Sequence, residues 1–173
     1  MDFSEQQLVD CSFTYGNEGC NGGELSYAYQ YLEDFDFTVL SSYPYHAANE
    51  VCKYNNIPYR PGAKIAQYIE HNNTNAVDMK AMVYDNAVSV ALEAKNWKHY
   101  GGGIFDAADC GEDIDHGVVV VGYSTRDNYW RVKNSWGKRW GEEGFMRLPI
   151  GSGEDFVDGT CGIFNRPSYP KYT

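Results

Sequence analysis

The spacing of apolar and polar residues changes along the chain, from a helical period in its first part to a strand period afterwards. In SEQQLVDC, Ser4 is placed to cap a helix, and Gln7 is its expected capping-box partner. GELSYAYQYLEDF has the helical period too, which predicts a second helix whose apolar face is formed by Leu25, Ala28, Tyr29 and Leu32. We therefore expect the amino-terminal part of the chain to be helical.

Five later segments have the composition of strands. They are AKIAQYIE, AVSVALEA, HGVVVVGY, YWRVKNSW and GFMRLPI, and a short helix near Asp78 to Tyr84 is predicted between the first two. The proline-containing stretch SSYPYHAANEVCKYNNIPYRPG predicts a loop ahead of them. Helices first and strands later indicate an α+β chain, and we place the boundary near Pro61 to Gly62.

The run HGVVVVGY is apolar at successive positions, which predicts a strand buried on both faces, with His116 where the strand leaves the core. A histidine at such a place is often a packing residue only. A second interpretation comes from Asn134 in NSWG, which follows the next predicted strand. If the two strands are antiparallel neighbours, the Asn134 amide oxygen would orient the His116 ring, and Trp136 would cover the hydrogen bond. The spacing alone leaves both interpretations open.

Charge and hydropathy exclude some partners. The 173-residue chain has a net charge of −10, which disfavours nucleic acid and anionic membranes as partners. No apolar run is long enough for a membrane helix, and the first residues lack the apolar core of a signal peptide. We therefore expect no nucleic-acid and no membrane partner.

The chain has five cysteines and no C-x-x-C pair, which disfavours zinc and dithiol redox chemistry. We accordingly expect no metal and no other cofactor. Because five is an odd number, at least one cysteine has no partner within this chain.

Several segments together resemble the papain family of cysteine peptidases, in its cathepsin L branch. In chain order they are SEQQLVDCS, GCNGG, SYPY, VCKYN, GGGIF, DHGVVVVGY, KNSWGKRWGEEGF and CGI…SYP, which run from about Ser4 to Pro170. The resemblance implies a papain-like two-lobed α+β fold. Residues 1–62 would form the remainder of a helical left lobe, and residues 63–173 an antiparallel, β-barrel-like right lobe whose carboxyl-terminal segment returns toward the left lobe.

The resemblance also implies a catalytic role for two residues. His116 would be the catalytic histidine and Asn134 its orienting residue, in a mechanism in which a cysteine thiolate attacks the peptide carbonyl and the imidazolium protonates the leaving amine. Disulfides would join Cys11 to Cys52 and Cys110 to Cys161.

A substrate-binding cleft is implied as well. Gly22 and Gly23 would pair with the backbone of an extended peptide. The residues expected at or near the S2 pocket and the rest of the cleft are Leu25, Ala91, Ile114, Asp115, Trp136 and Arg166. Arg166 departs from the small or apolar residue usual in the family. It would accept an acidic substrate side chain, or else pair with Asp115 or extend into solvent.

The nucleophile is missing from this pattern. In the family it lies about 130–150 residues before the histidine and asparagine, and even Cys11 is too close to His116 to match. The segment resembling Q-G-x-C-G-S-C-W, which would supply the cysteine, the oxyanion glutamine and a partner for Cys20, does not occur. We interpret the chain as an amino-terminally truncated cysteine endopeptidase that is inactive alone.

Two alternatives stay open. The chain would be a non-catalytic relative that binds peptides or other partners, or it would be completed by another chain that supplies the nucleophile. By resemblance, its partners would be peptide or protein substrates and a propeptide or cystatin-like inhibitor. The resemblance also implies a monomer, located in a lysosome, in a vacuole or outside the cell.

Overall fold

A computed structural model describes residues 2–57, 62–72, 74–151 and 158–172. The chain divides into two compact units, one of Met1–Ile69 with Pro170–Thr173 and the other of Glu70–Tyr169. The helices are α1 (Glu5–Cys11), α2 (Leu25–Asp34) and α3 (Ala76–Asp85). The strands are β1 (Phe37–Thr38), β2 (Gly62–Ala63), β3 (Ile65–Glu70), β4 (Val88–Leu92), β5 (His116–Ser124), β6 (Tyr129–Lys133), β7 (Phe145–Pro149) and β8 (Ser168–Tyr172).

In the first unit, α1 begins as the sequence predicts. The Ser4 Oγ accepts a hydrogen bond from the Gln7 backbone N–H at 3.1 Å, which caps the helix. The expected return bond from the Gln7 side chain is not made. That side chain is fully buried and instead donates to Tyr31 Oη at 3.0 Å and accepts from Thr38 N at 2.8 Å. The capping-box prediction was wrong because Gln7 joins α1 to the residues that follow it.

The apolar cluster of the first unit is small. Its fully buried members are Tyr31, Leu32 and Ile65. The predicted face of α2 was correct for Leu32, whereas its other three members are only partly buried. Ile65 of β3 packs with α2, so the segment after residue 62 groups with the helices, and the first compact unit continues to Ile69. The lobe boundary near Gly62 stays a prediction.

A six-stranded sheet has the order β3-β8-β4-β5-β6-β7. The pairs β4–β5, β5–β6 and β6–β7 are antiparallel. The five predicted strands and the predicted helix α3 are confirmed, whereas β1, β2 and β8 were not predicted from the sequence. The core of the second unit contains α3 residues such as Met79 and sheet residues such as Trp130, Met146 and Leu148, each fully buried.

The valine run is buried on one face only, which corrects the expectation of a doubly buried strand. Val118 and Val120 are buried, Val119 is half-buried and Val121 is 38% exposed. Successive side chains of a strand point to opposite faces, so only alternate valines reach the core. A bulge between Val120 and Gly122 interrupts the pairing with β6 before the strand ends.

Candidate active site

His116 and Asn134 lie at neighbouring strand ends in the second unit. His116 is the first residue of β5, where it pairs with Leu92, and Asn134 directly follows β6. The His116 Nε2 and the Asn134 Oδ1 are 2.8 Å apart. The strand order therefore brings together the two residues that the sequence placed at the mouth of the sheet.

The backbone determines which ring nitrogen carries the proton. Asn134 Oδ1 also accepts a hydrogen bond from the Ser135 N–H at 2.7 Å. Because a backbone N–H can only donate, the amide atom facing it is the oxygen, so His116 Nε2 must donate to that same oxygen. In the neutral ring, Nδ1 is then the unprotonated nitrogen and the position at which a proton can be accepted.

Asn134 is anchored on its other side. The Asn134 backbone N–H donates to Gly144 O at 3.0 Å, and the residue as a whole is buried, with 8% of its surface exposed. Within the described part of the chain, Asn134 Nδ2 is buried without a hydrogen-bond partner. The amide oxygen thus has two donors, and its orientation does not depend on Nδ2.

Two tryptophans contact the histidine ring, and a third, Trp140, packs against both of them. The Trp136 and His116 ring centroids are 5.0 Å apart with the planes tilted by 33°, and Trp136 is 42% exposed. The Trp97 and His116 rings are nearly perpendicular at a centroid distance of 6.3 Å, and Trp140 Nε1 donates to Trp97 O at 3.1 Å. The sequence reasoning missed Trp97 and Trp140. The i, i+4 pair of tryptophans in WGKRW was the available signal for Trp140.

The remaining predicted substrate-binding residues of the second unit lie near this strand end. Ala91 pairs with Gly117 in the β4–β5 ladder, and Ile114 is 39% exposed. Asp115 is exposed, and its carboxylate accepts a hydrogen bond from the Ala94 N–H at 2.7 Å. Gly117 was not among the substrate-binding residues predicted from the sequence. The register of the β4–β5 pair places it opposite Ala91.

Arg166 is held by an acidic residue that the sequence reasoning did not consider. Its Nε and a terminal nitrogen lie 3.1 and 2.7 Å from Glu70 Oε1. The alternative pairing of Arg166 with Asp115 was wrong, because the carboxylate that contacts the Arg166 guanidinium is that of Glu70. The Asp115 carboxylate accepts from the Ala94 N–H instead.

Gly22, Gly23 and Leu25 belong to the first unit, where they precede or begin α2. Gly22 and Gly23 have φ angles of 114° and 156°. A Cβ added to Gly23 would lie 2.0 Å from Asn17 Oδ1, whereas a Cβ on Gly22 would meet nothing within 4 Å. Glycine at position 23 therefore has a local structural reason, and substrate binding at all three residues stays a prediction.

The structure contains the two disulfides that the resemblance implied, Cys11–Cys52 and Cys110–Cys161. Cys20 is a free, exposed thiol in the first unit.

Among the described residues, no group of three or more histidine, cysteine or acidic side chains is arranged to hold a metal ion. The helices in the described ranges are too short or too polar to cross a membrane.

Comparison with known proteins gives the class of this chain. The family model described as papain family cysteine protease matches residues 1–171 of the chain. The chain therefore belongs to the papain family of cysteine proteases. Members of this family act on peptide or protein substrates.

Individual relatives agree. Thiol protease SEN102 of Hemerocallis sp. is 42% identical over 180 residues, which cover 100% of this chain and 48% of the relative. Procathepsin L of Rattus norvegicus is 38% identical over 188 residues, with coverages of 98% and 52%. The crystal structure of the Carica candamarcensis cysteine protease CMS1MS2 in complex with E-64 superimposes with a TM-score of 0.91 at 34% identity, covering 100% of this chain and 78% of that one.

These likenesses confirm the α+β class, the papain-like fold and the cathepsin L-like resemblance. The chain spans about half the length of the curated relatives that it matches.

Proposed function

We propose that this chain carries the histidine and asparagine of a papain-like cysteine endopeptidase and that peptide hydrolysis requires a nucleophilic cysteine from outside these 173 residues. The observation that supports this best is the His116–Asn134 hydrogen bond of 2.8 Å, with Asn134 Oδ1 also held by Ser135 N. It leaves Nδ1 as the nitrogen that exchanges a proton with a thiol. An oriented imidazole beside a thiol is the arrangement that produces a reactive thiolate.

The cysteines of the chain support the second half of the proposal. Four of the five are in disulfides, so they cannot act as thiolates. The fifth, Cys20, lies within the glycine-rich motif GCNGG of the first unit, which resembles a structural and not a nucleophilic segment of the family. The chain alone is therefore expected to be inactive.

Substrate selection would involve residues at the same strand end. Ala91 and Ile114 would contact the apolar part of the substrate side chain that occupies S2, with Leu25 of the first unit as a further predicted member. Arg166 would offer a guanidinium to an acidic side chain in that position. Asp115 is expected to support this region through its bond to Ala94 N rather than to bind substrate by charge.

An oxidising compartment suits this chain, because two disulfides are rare in proteins that stay in the cytosol. A lysosome, a vacuole or the extracellular space is the proposed location. A monomer that is regulated by a propeptide or a cystatin-like inhibitor is proposed on family resemblance alone.

The test is to restore a nucleophile. The corresponding amino-terminal segment of the mature Hemerocallis relative, with its cysteine, would be fused ahead of Asp2. We expect the fusion to hydrolyse a fluorogenic peptide and to be titrated stoichiometrically by E-64, while the unfused chain does neither. His116→Ala in the fusion should lower kcat/KM by about 10²- to 10⁴-fold, the usual contribution of an acid–base residue.

The controls separate this proposal from a binding module. His99→Ala changes an exposed histidine of the same unit and should leave kcat/KM unchanged. Asn134→Ala should give an intermediate loss, because the ring keeps its chemistry and loses its orientation. A folded fusion that fails to react with E-64, or one in which His116→Ala has no effect, would contradict the proposal and favour a non-catalytic relative.

A further inference from the structure

A short turn next to the candidate active site carries two adjacent basic residues, Lys138 and Arg139. The Trp140 N–H donates to Gly137 O at 3.2 Å, so the two cations are the central residues of a four-residue turn. Both residues are exposed. Because the turn directly follows Trp136, these cations lie at the solvent-exposed edge of the candidate active site.

Aromatic packing fixes the position of this turn. The rings of Trp136 and Trp140 pack edge to face, with centroids 5.2 Å apart and planes at 81°. Trp140 also stacks on Trp97, which is 1% exposed, and its Nε1 donates to Trp97 O at 3.1 Å. The Gly144 N–H donates to Trp140 O at 2.8 Å. The turn is therefore anchored on a buried residue, and its position does not depend on a ligand.

No ion pair neutralises the positive charge of the turn. Within the described ranges, neither Lys138 nor Arg139 has an ion-pair partner. Of the two acidic residues that follow in the sequence, Glu142 is occupied by Arg147, and Glu143 is exposed and pairs with neither cation. The turn thus presents two positive charges against one free carboxylate, in a chain whose net charge is −10.

The strand order places this turn on one side of the histidine. β5, which begins with His116, lies between β4 and β6. Ala91 of β4 and Ile114 are the proposed contacts of the acyl side of the substrate, whereas Trp136 and the turn follow β6. The histidine protonates the leaving amine, so the leaving peptide begins beside His116. We expect it to continue away from the acyl side, over Trp136 and toward the turn.

The acidic residues nearest to His116 in the sequence are bonded on the opposite side. The Asp115 carboxylate accepts from the Ala94 N–H at 2.7 Å, and the Asp113 N–H donates to Glu93 Oε2 at 3.0 Å. Glu93 and Ala94 directly follow β4. The charge therefore changes sign across β5, with carboxylates at the end of β4 and the two cations beyond the end of β6.

We propose that Lys138 and Arg139 select an acidic side chain at the second residue of the leaving peptide, an inference that rests on the proposed peptidase function. The first leaving residue packs on the ring of Trp136, which is 42% exposed. An extended peptide advances by about 3.3 Å per residue, which brings the second side chain toward the turn. Its carboxylate accepts charge-assisted hydrogen bonds from Lys138 Nζ and from the Arg139 guanidinium.

NMR on the 173-residue chain tests the binding step without hydrolysis. The probes are Ala-Asp-Gly amide and Ala-Asn-Gly amide, which imitate leaving peptides and differ in one charge. The Trp136 indole N–H should shift with an initial slope about threefold greater for the Asp peptide, on the scale of one exposed ion pair. This ratio should fall toward one in about 1 M salt, which screens exposed charges. The fully buried Trp130 serves as the internal reference.

Charge reversal should invert the preference. The double variant Lys138→Glu with Arg139→Glu should favour the Asn peptide, because like charges repel. Lys138→Gln with Arg139→Gln should give a ratio of about one. Arg126→Gln is the matched control, since it removes an exposed cation from the turn after β5, at the opposite end of that nine-residue strand from His116. It should leave the ratio unchanged.

The kcat/KM values of the restored fusion measure the same preference during hydrolysis. Substrates with Asp or Asn at the second leaving-side residue should differ in the same direction as the NMR slopes. Equal NMR slopes, or a preference for Asp that survives charge reversal, would overturn the proposal even with an active fusion. An inactive fusion together with the expected NMR preference would contradict the peptidase function and support the turn as a surface that selects acidic peptides.

Discussion

Arg166 is held in a defined direction by its backbone and by an ion pair. Its φ of 49° lies in the left-handed region, which residues other than glycine seldom adopt. Its guanidinium makes two hydrogen bonds to one oxygen of Glu70, a residue whose side chain is only 19% exposed. A substrate carboxylate would therefore have to compete with Glu70, as a second acceptor on the same guanidinium.

This competition predicts how the specificity of the fusion enzyme depends on Glu70. Glu70→Gln should raise the relative kcat/KM for peptides with an acidic residue in the S2 position by about tenfold, because one charged competitor is removed. Arg166→Gln should abolish that preference. A peptide library that varies this position measures both. An apolar preference that is the same in all three enzymes would show that Arg166 does not reach the substrate.

At the scale of single residues, the sequence predicted the contact between His116 and Asn134. That contact depends only on the strand order and on which residues lie at the strand ends. The sequence could not predict the partner of Arg166. Glu70 is 96 residues away in the sequence, and only the folded structure brings it to Arg166. Side-chain partners such as the Tyr31 hydroxyl for Gln7 are likewise decided by tertiary packing rather than by local pattern.

Among the secondary structure elements, β7 is connected by side-chain hydrogen bonds to the glycine-rich segment that precedes Ile104. Glu142 accepts from Arg147 Nε at 3.0 and 3.1 Å and from the Gly103 N–H at 3.0 Å. The Tyr100 hydroxyl donates to Gly103 O at 2.6 Å and accepts from Arg147 N at 3.1 Å. A single carboxylate thus joins a strand to a segment with little secondary structure of its own.

The Glu142 contacts predict a pH-dependent stability. The hydrogen bonds from Arg147 hold the pKa of Glu142 below its ordinary value. A carboxylate with a lowered folded-state pKa stabilises the fold above its unfolded pKa, and this contribution is lost as pH falls through the lower folded value. Glu142→Gln should therefore destabilise the chain near pH ~7 by about 0.5 kcal/mol, allowing for solvent screening.

Urea unfolding across pH measures this difference. The gap between wild type and Glu142→Gln should narrow as pH falls below the ordinary pKa of glutamate, about 4. It should close only below the lowered folded-state pKa, where the glutamate is protonated in both states. Glu143→Gln removes the neighbouring, exposed carboxylate and should show no such pH dependence. A gap that stays constant from neutral to acid pH would mean that the glutamine disturbs packing rather than charge.

Strand positions were predictable at this scale because alternation of apolar residues is a local signal. The burial of the valine run was not, since four adjacent valines carry no alternation and only the pairing of β5 shows which two face the core. β8 was missed because SYPKY is short and contains Pro170, and proline is unusual inside a sheet.

For the whole molecule, the two units are stabilised by different interactions. The second unit has a large apolar core that includes Trp97, Trp130 and Leu92. The first unit has a small apolar cluster and several buried polar residues, among them Asp10, which is 5% exposed. The Asp10 carboxylate accepts from Gln6 Nε2, the Tyr43 hydroxyl and Glu50 N, at 2.8 to 2.9 Å. We infer that the first unit depends more strongly on its disulfide.

Hydrogen exchange on paired disulfide variants tests this dependence. The Cys11–Cys52 bridge closes a separation of 41 residues and the Cys110–Cys161 bridge one of 51, so each constrains the unfolded chain by about 4 kcal/mol in the chain-entropy account. Replacing Cys11 and Cys52 by alanine should nevertheless abolish protection in α1 while β4–β6 stay protected. Replacing Cys110 and Cys161 should leave both regions partly protected, because the apolar core of the second unit remains. Loss of protection in both units in either variant would show instead that the two unfold as one cooperative structure.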